Sequence, residues 1–301
     1  MITETVELKS QCIKKWCRDE DVLDDRLTQF VERFDNWHQQ ISPEHRSTVY
    51  TLVEHIEYYS HKYTNSCLKE LHNKLLEDHD ISDDNTIYVF IKSKDGQSNS
   101  SNDYWTEYKA INKINKHICI ENMDVFDQDD WEHIINIVFI EDFSGSGKSF
   151  IDELNKTPAR YCGKNVFFIT INTMFAAKEA INKYCSEKQI NIVLISAEQQ
   201  RKAFEQDLFL DNKKAELEIC EMSRSFEIPE KYILGFNQSQ ALAVFYNNTP
   251  NNTFGFIWFD NSKCFSLFPR DDDPLPIWQR MKKNRKKRNR ANYNNKVRGQ
   301  K

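Results

Sequence analysis

No stretch of this sequence approaches the roughly 18 consecutive apolar residues of a membrane-spanning helix, and charged residues make up 29% of it. The opening residues, MITETVELKSQ, lack the basic-then-apolar order of a secretion signal, so a cytoplasmic protein with no membrane partner is expected. There is no C-x-x-C pair. The eight cysteines (Cys12, Cys17, Cys67, Cys119, Cys162, Cys185, Cys220 and Cys264) are scattered, which argues against a zinc site and, in a reducing compartment, against disulfides. No histidine follows His133, so a histidine-based triad in the second half is disfavoured. The first eighty residues contain no glycine and only one proline, Pro43. The last twenty-two contain no acid.

That last absence reveals a charge asymmetry. Net charge is −5, yet eleven of the forty-one Lys and Arg residues fall within 280–301, leaving thirty against forty-six acids elsewhere. An acidic body carries a basic tail. The tail has almost no apolar content and is expected to be disordered in isolation. Lys282, Lys283, Arg285, Lys286, Lys287, Arg288 and Arg290, with Tyr293 among them, suit contact with the phosphate backbone of RNA or DNA. A solubilising tail is the plainer alternative.

Three regions are expected: a helical region over 1–82, an α/β domain over 83–278 and the tail over 279–301. In the first, Val22, Leu23, Leu27, Phe30, Val31, Phe34 and Trp37 recur at helical spacing. Ser42-Pro43-Glu44 reads as a helix start, with the helix running through Val49, Leu52, Val53 and Ile56 to Tyr59. A further helix covers Cys67 to Leu76. In the second region, Thr86–Lys92, Asn136–Ile140, Asn165–Ile171 and Asn191–Ser196 are β-branched and aromatic runs separated by helical segments. That alternation predicts a Rossmann-like parallel sheet, with ligands beyond its carboxyl-terminal strand ends. A short strand is expected within Ile118–Phe126, and another at Phe256–Phe259.

The central motif is NIVFIEDFSGSGKSF, residues 136–150. An apolar strand ends in Glu141-Asp142. A small polar loop, Ser144-Gly145-Ser146-Gly147-Lys148-Ser149, leads into a helix opening at Phe150. Glycines let backbone amides approach an anion, and the hydroxyls add donors. Gly147-Lys148-Ser149 matches the end of the P-loop G-x-x-x-x-G-K-[ST], but the position of its first glycine is Asp142, a carboxylate where phosphate belongs. The order strand, acidic pair, Ser/Gly loop, helix is more similar to type I phosphoribosyltransferases. That resemblance implies that Glu141 and Asp142 hold the ribose hydroxyls of phosphoribosyl pyrophosphate, directly or through Mg²⁺, while Ser144 to Ser149 hold its 5′-phosphate. No metal site made by protein groups alone is expected. Lys92, just before the polar segment SKDGQSNSSND, and Ser93 and Lys94 at its start are candidates to neutralise pyrophosphate or to serve as a lid; a plain surface loop is an equal alternative. Between Leu234 and Arg270, aromatics mix with the amide-rich run Asn247–Thr253, and Gln240, Asn251 and Asn252 are candidates for a polar lip.

Three stretches carry a closer resemblance across residues 30–270. They are Trp37 with Glu44-His45-Arg46 and Leu52 to Ser60; Ile140 to Ser149; and Gly235-Phe236 with Ser239-Gln240-Ala241-Leu242 and Asn248 to Thr253. Together they resemble a phosphoribosyltransferase-like family of prokaryotic conflict systems, found in anti-phage defence islands including some retrons. The resemblance implies a type I phosphoribosyltransferase-like core with an added helical region. It also implies a toxin or effector that damages nucleotides or nucleic acid on infection. Lys148 departs from the usual Thr/Gly-rich loop. Three functions are therefore carried forward: a phosphoribosyltransferase-like enzyme; a non-catalytic nucleotide sensor that docks on RNA, DNA or a reverse-transcriptase ribonucleoprotein; and a P-loop-like ATPase.

Overall fold

The computed structural model describes residues 2–18, 22–92 and 100–270. The chain begins with two helices, α1 (Ile2–Cys17) and α2 (Asp25–Gln40). The Asp24 carboxylate caps α2 by accepting from the Leu27 N–H, which satisfies one of the free donors of the first turn. Of the expected apolar stripe, Leu27, Phe30, Phe34 and Trp37 form the buried face; Val31 is only partly buried, and Val22, exposed, lies with Leu23 ahead of the helix. A 3₁₀ turn at Pro43–His45 leads into α3 (Arg46–Glu54), and Ser42 supplies no side-chain cap.

Here the structure corrects the expectation of one helix through Tyr59. α3 stops at Glu54, and Glu57–Tyr59 form a short strand, β1. The cause is non-local. β1 pairs in parallel with β6 (Ala243–Phe245), and the Glu57 N–H donates to the Leu242 carbonyl at 2.9 Å. No local pattern announces a partner so far along the chain. α4 (His61–Asp78) follows, capped by Ser60.

The main sheet holds β2 (Thr86–Phe90), β3 (Asn136–Ser144), β4 (Asn165–Met174) and β5 (Asn191–Gln200), all parallel in the order β2-β3-β4-β5. The helices between them are α5 (Ser100–Ile111), α6 (Gln128–His133), α7 (Lys148–Leu154) and α8 (Phe175–Glu187). Successive residues face opposite sides, as pleating requires. Ile137 and Phe139 pack with Phe150, Phe168 and Ile181 on one face; Val138 and Ile140 pack with Leu71, Tyr104 and Phe167 on the other. The apolar runs marked the strands, but three of the four extend further: β3 to Ser144, β4 to Met174 and β5 to Gln200. Their polar ends still pair, Ser144 with Thr173 and Thr173 with Gln199.

Two details of this sheet lie beyond the sequence reading. Its first row aligns Thr86, Asn136, Asn165 and Asn191. The asparagines form a ladder: Asn191 Nδ2 donates to Asn165 Oδ1 at 2.7 Å, and Asn165 Nδ2 to Asn136 Oδ1 at 3.0 Å. A one-residue slip would break every rung, so the ladder helps fix register. Near the other end, pairing skips the row of Asp142 and Ile171 and resumes at Phe143–Asn172. Ile140 and Phe143 therefore lie on the same face although three residues apart.

The strand expected within Ile118–Phe126 is reduced to a single bridge, Cys119 to Tyr88, between 3₁₀ turns at Lys116–Ile118 and Met123–Val125. The strand expected at Phe256–Phe259 is instead a helical turn. After α9 (Asn212–Ser225) and α10 (Glu230–Ile233) comes α11 (Gly255–Trp258), closed by Phe259 N–H to Gly255 O at 2.8 Å. A short run buried on every side has no periodicity that separates helix from strand. This carboxyl-terminal part shares one hydrophobic core with the first helices, Trp16, Phe30 and Trp37 packing with Phe254, Phe256 and Phe268. Arg26, buried, donates to Thr249 Oγ1 at 2.8 Å and to the Phe268 carbonyl at 3.2 Å.

Candidate phosphate-binding cleft

β3 delivers its last residues to the carboxyl edge of the sheet, and the glycine loop turns from there into α7. The helix opens at Lys148, two residues earlier than expected, with Gly147 as its N-cap at φ +70°. A side chain at Gly147 would be strained by that φ and would also press Ile181, with a Cβ only 2.8 Å from Cγ1. Gly145 has a different reason. A Cβ there would lie 2.2 Å from Asn252 Cγ, so this glycine admits the Asn252 side chain against the loop.

A cavity of about 380 Å³ opens over this turn. Ser144 through Ser149 line it, together with Glu141, Lys92, Asn251 and Asn252. The candidate phosphate loop, one acidic residue, one basic residue and two of the lip residues are thus brought together. Glu141 faces the cleft, and burial, then the neighbouring Asp142 charge, pushes its carboxyl well above the usual carboxylate range.

Asp142 goes elsewhere. It is 7% exposed and does not line the cleft. Its charge is felt on the opposite face, where it adds to burial in raising the Tyr104 and Tyr246 phenols. β3 continues through both acids instead of ending before them, but its pairing skips Asp142, so the placement of the two acids follows from their surroundings and not from simple alternation. The two carboxylates expected to grip one ribose are therefore separated, Glu141 in the cleft and Asp142 beside Tyr104 and Tyr246.

Gln240 is also off the lip. It is 6% exposed, and its Oε1 accepts the Phe204 N–H at 3.1 Å, so it braces the 3₁₀ turn at Ala203–Glu205. Lys92 Nζ donates to Asn122 Oδ1 at 3.0 Å at the cleft margin. Ser93 and Lys94 lie outside the described residues, as do Lys282, Lys283, Arg285, Lys286, Lys287, Arg288 and Arg290 of the basic tail.

Six cleft residues were not among the candidates read from the sequence: Ile91, Phe143, Asp152, Glu153, Lys156 and Phe236. The spacing Lys148, Asp152, Lys156 was a usable signal, because four-residue steps share a helix face. Lys148 Nζ pairs with Asp152 Oδ1 at 3.1 Å, and Lys156 with Glu153 Oε2 at 2.5 Å. The walls thus alternate charge, with lysines beside carboxylates. Among the described residues no cluster of three or more His, Cys, Asp or Glu side chains is placed to hold a metal ion. The oxygen donors of Glu141 and Asp152 suit Mg²⁺ only as a complement to ligand phosphates, the usual way that ion is bound.

A parallel α/β sheet with a glycine loop at its carboxyl edge defines a phosphoribosyltransferase-like domain with a Rossmann-type core and an amino-terminal helical region. The chain belongs to the PRTase-CE family, whose model matches residues 30–270. No curated protein and no solved structure matches it. No helix among the described residues is long and apolar enough to cross a membrane.

Proposed function

We propose that the cleft binds phosphoribosyl pyrophosphate, or a related nucleotide, and that the protein is a phosphoribosyltransferase-like enzyme. The observation that carries this reading is one cavity in which the loop 144–149, Glu141 and Lys92 converge. The loop amides and hydroxyls receive the 5′-phosphate, with Lys148 adding charge. Lys92 faces the pyrophosphate. Glu141, rather than an acidic pair, is the carboxyl placed at the ribose; positive charge developing at C1′ favours its ionised form, which burial and Asp142 disfavour in the empty cleft. Mg²⁺ would supply neutralisation of the pyrophosphate when bound, with Glu141 and Asp152 as the carboxylates available to it. In the transfer, C1′ bonds to an acceptor atom as its bond to the pyrophosphate oxygen breaks, the pyrophosphate leaving with the electron pair.

The biological reading that accompanies this is an effector of a prokaryotic anti-phage system, retron-associated, acting in the cytoplasm on a nucleotide or nucleic-acid target. The basic tail would hold it to RNA, DNA or a reverse-transcriptase ribonucleoprotein. A second reading is favoured by the separation of Glu141 from Asp142: a cleft that lacks the paired carboxylates binds the ligand as a sensor without turnover. A P-loop-like ATPase is less well supported, since Lys148 pairs along the helix with Asp152.

The test is calorimetry of the full chain with phosphoribosyl pyrophosphate and Mg²⁺, followed by release of pyrophosphate in the presence of candidate acceptors. Lys148→Ala is expected to weaken binding about tenfold or more, the scale of one lost charge-assisted contact. Glu141→Gln is expected to abolish turnover while retaining binding. No binding by the wild type removes the reading; binding with no product from any acceptor leaves the sensor.

A further inference from the structure

The two edges of the main sheet are finished differently. At β2, the Ile120 N–H and the Trp105 Nε1 both donate to the Tyr88 carbonyl, at 2.9 and 3.2 Å, and Cys119 bridges to Tyr88. Ile87, Tyr88 and Val89 are buried there. β5, at the other edge, has no such cover. In a parallel pair alternate residues bond to a given neighbour, so half of the main-chain groups of β5 face away from β4. Among the described residues no hydrogen bond reaches the main chain of residues 191–199 from that side. The open edge ends at Gln200, whose Oε1 accepts the Leu242 N–H at 2.9 Å and whose Nε2 donates to the Leu242 carbonyl at 3.2 Å.

The side chains show the same deficit. In one row of the sheet Val138 and Phe167 are buried, while Val193 beside them is only partly so. In the next row Phe139 and Phe168 are buried and Leu194 is only partly so. α4 and α8 pack on the two faces of β5, and each carries an exposed apolar side chain, Leu76 and Phe175. Solvent-facing edges are normally blunted by short length, charge, proline or a bulge. β5 runs for ten residues, and its first seven, Asn-Ile-Val-Leu-Ile-Ser-Ala, contain no charged residue, proline or glycine.

We propose that this edge is a dimer interface: β5 pairs antiparallel with β5 of a second copy, joining two four-stranded sheets into one. A second copy fits because the segment is complementary to itself. Two copies of one strand related by a two-fold axis through the shared edge run in opposite directions, and the same patch serves on both sides. Each outward N–H then meets a carbonyl of the other copy, as in any antiparallel ladder. Residues 191–197 bring no like charges together, and Ile192, Val193 and Leu194 gain the apolar neighbours that the inner strands already have. The basic segment 280–301 is a poor occupant by comparison, since half of it is Lys and Arg. None of the residues that line the glycine-loop cleft belongs to β5, so the pairing leaves that cleft open.

The experiment is sedimentation equilibrium of the full chain over a concentration series, joined to amide hydrogen exchange. The wild type is expected to reach twice the mass of one chain at the upper concentrations. Leu194→Lys with Ala197→Lys lays charge along the edge of both copies and should weaken association about tenfold or more. Ala197→Lys alone, at an exposed position, decides the matter if the double variant does not fold by circular dichroism. In the dimer, the outward amides of residues 192–198 should exchange about tenfold more slowly or better than in the variant, with β3 and β4 unchanged. A wild type that stays monomeric overturns the proposal. So does a dimer that the folded variants leave intact, or β5 exchange that ignores dimerisation. Protection of β5 in a monomer, lost on truncation after Trp278, also overturns it and assigns the edge to the chain's own carboxyl-terminal segment.

Discussion

Replacing Gly145 with alanine tests the contact that joins the glycine loop to the carboxyl-terminal segment. The added methyl would lie 2.2, 2.3 and 2.6 Å from Asn252 Cγ, Nδ2 and Oδ1. The asparagine cannot swing aside freely, because Nδ2 donates to Phe236 O at 3.3 Å and Ser239 Oγ at 3.0 Å. Its two hydrogen bonds contribute about 1–3 kcal/mol together, and overpacking of a fixed neighbour costs about 1–3 kcal/mol. Gly145→Ala should therefore destabilise by roughly 1–3 kcal/mol, lowering Tm by about 2–4 °C for each kcal/mol. Asn252→Ala removes all three clashing atoms at its own cost of about 1–3 kcal/mol. In that background Gly145→Ala should cost only about 0.5 kcal/mol or less, a non-additivity characteristic of touching residues. Urea denaturation of the four proteins measures the cycle. An equal cost for Gly145→Ala in both backgrounds would refute the contact; so would a stable single variant.

Other outcomes follow from the same geometry. The Glu141 carboxyl is raised by burial and by Asp142, so the folded state holds a proton that the unfolded chain releases near its ordinary value. Stability from this group is complete below about pH 4 and is lost as pH rises through the folded value. Glu141→Gln should thus gain stability relative to wild type as melts move from pH 4.5 to pH 8; a constant difference would mean Glu141 is not shifted. Asn165→Ala removes two rungs of the asparagine ladder and should cost about 1–3 kcal/mol in denaturant unfolding; a neutral result would make the ladder incidental. Truncation after Trp278 should abolish RNA or DNA binding measured by anisotropy. In the full chain, log affinity should fall with log salt by about 0.7–0.9 per phosphate contact; equal binding after truncation would remove the tail from that role.

Much of the fold was legible in local sequence. Every main-sheet strand was announced by an apolar, β-branched run, and the glycine loop by residues whose backbone freedom has no substitute at Gly147. The cleft was legible only in part. Three of the four strand ends were placed too early, because polar residues such as Glu141 and Ser144 still pair once neighbouring strands are present. That error hid the consequence that matters most for function: the strand runs on past Glu141 with an interruption at Asp142, and the two acids end in different surroundings.

The sequence alone determined the alternation of strands and helices, the anion-suited loop and the charge contrast between body and tail. These depend on neighbours a few residues apart, through periodicity, backbone freedom and composition. Only the tertiary structure decided that β1 pairs with β6, that Gln240 braces a distant turn, and that Asn252 rests on Gly145 while Phe236 faces the cleft. Those contacts join residues between about forty and almost two hundred positions apart in sequence. Which of them form is settled by packing the whole chain around shared cores, a condition no local window contains.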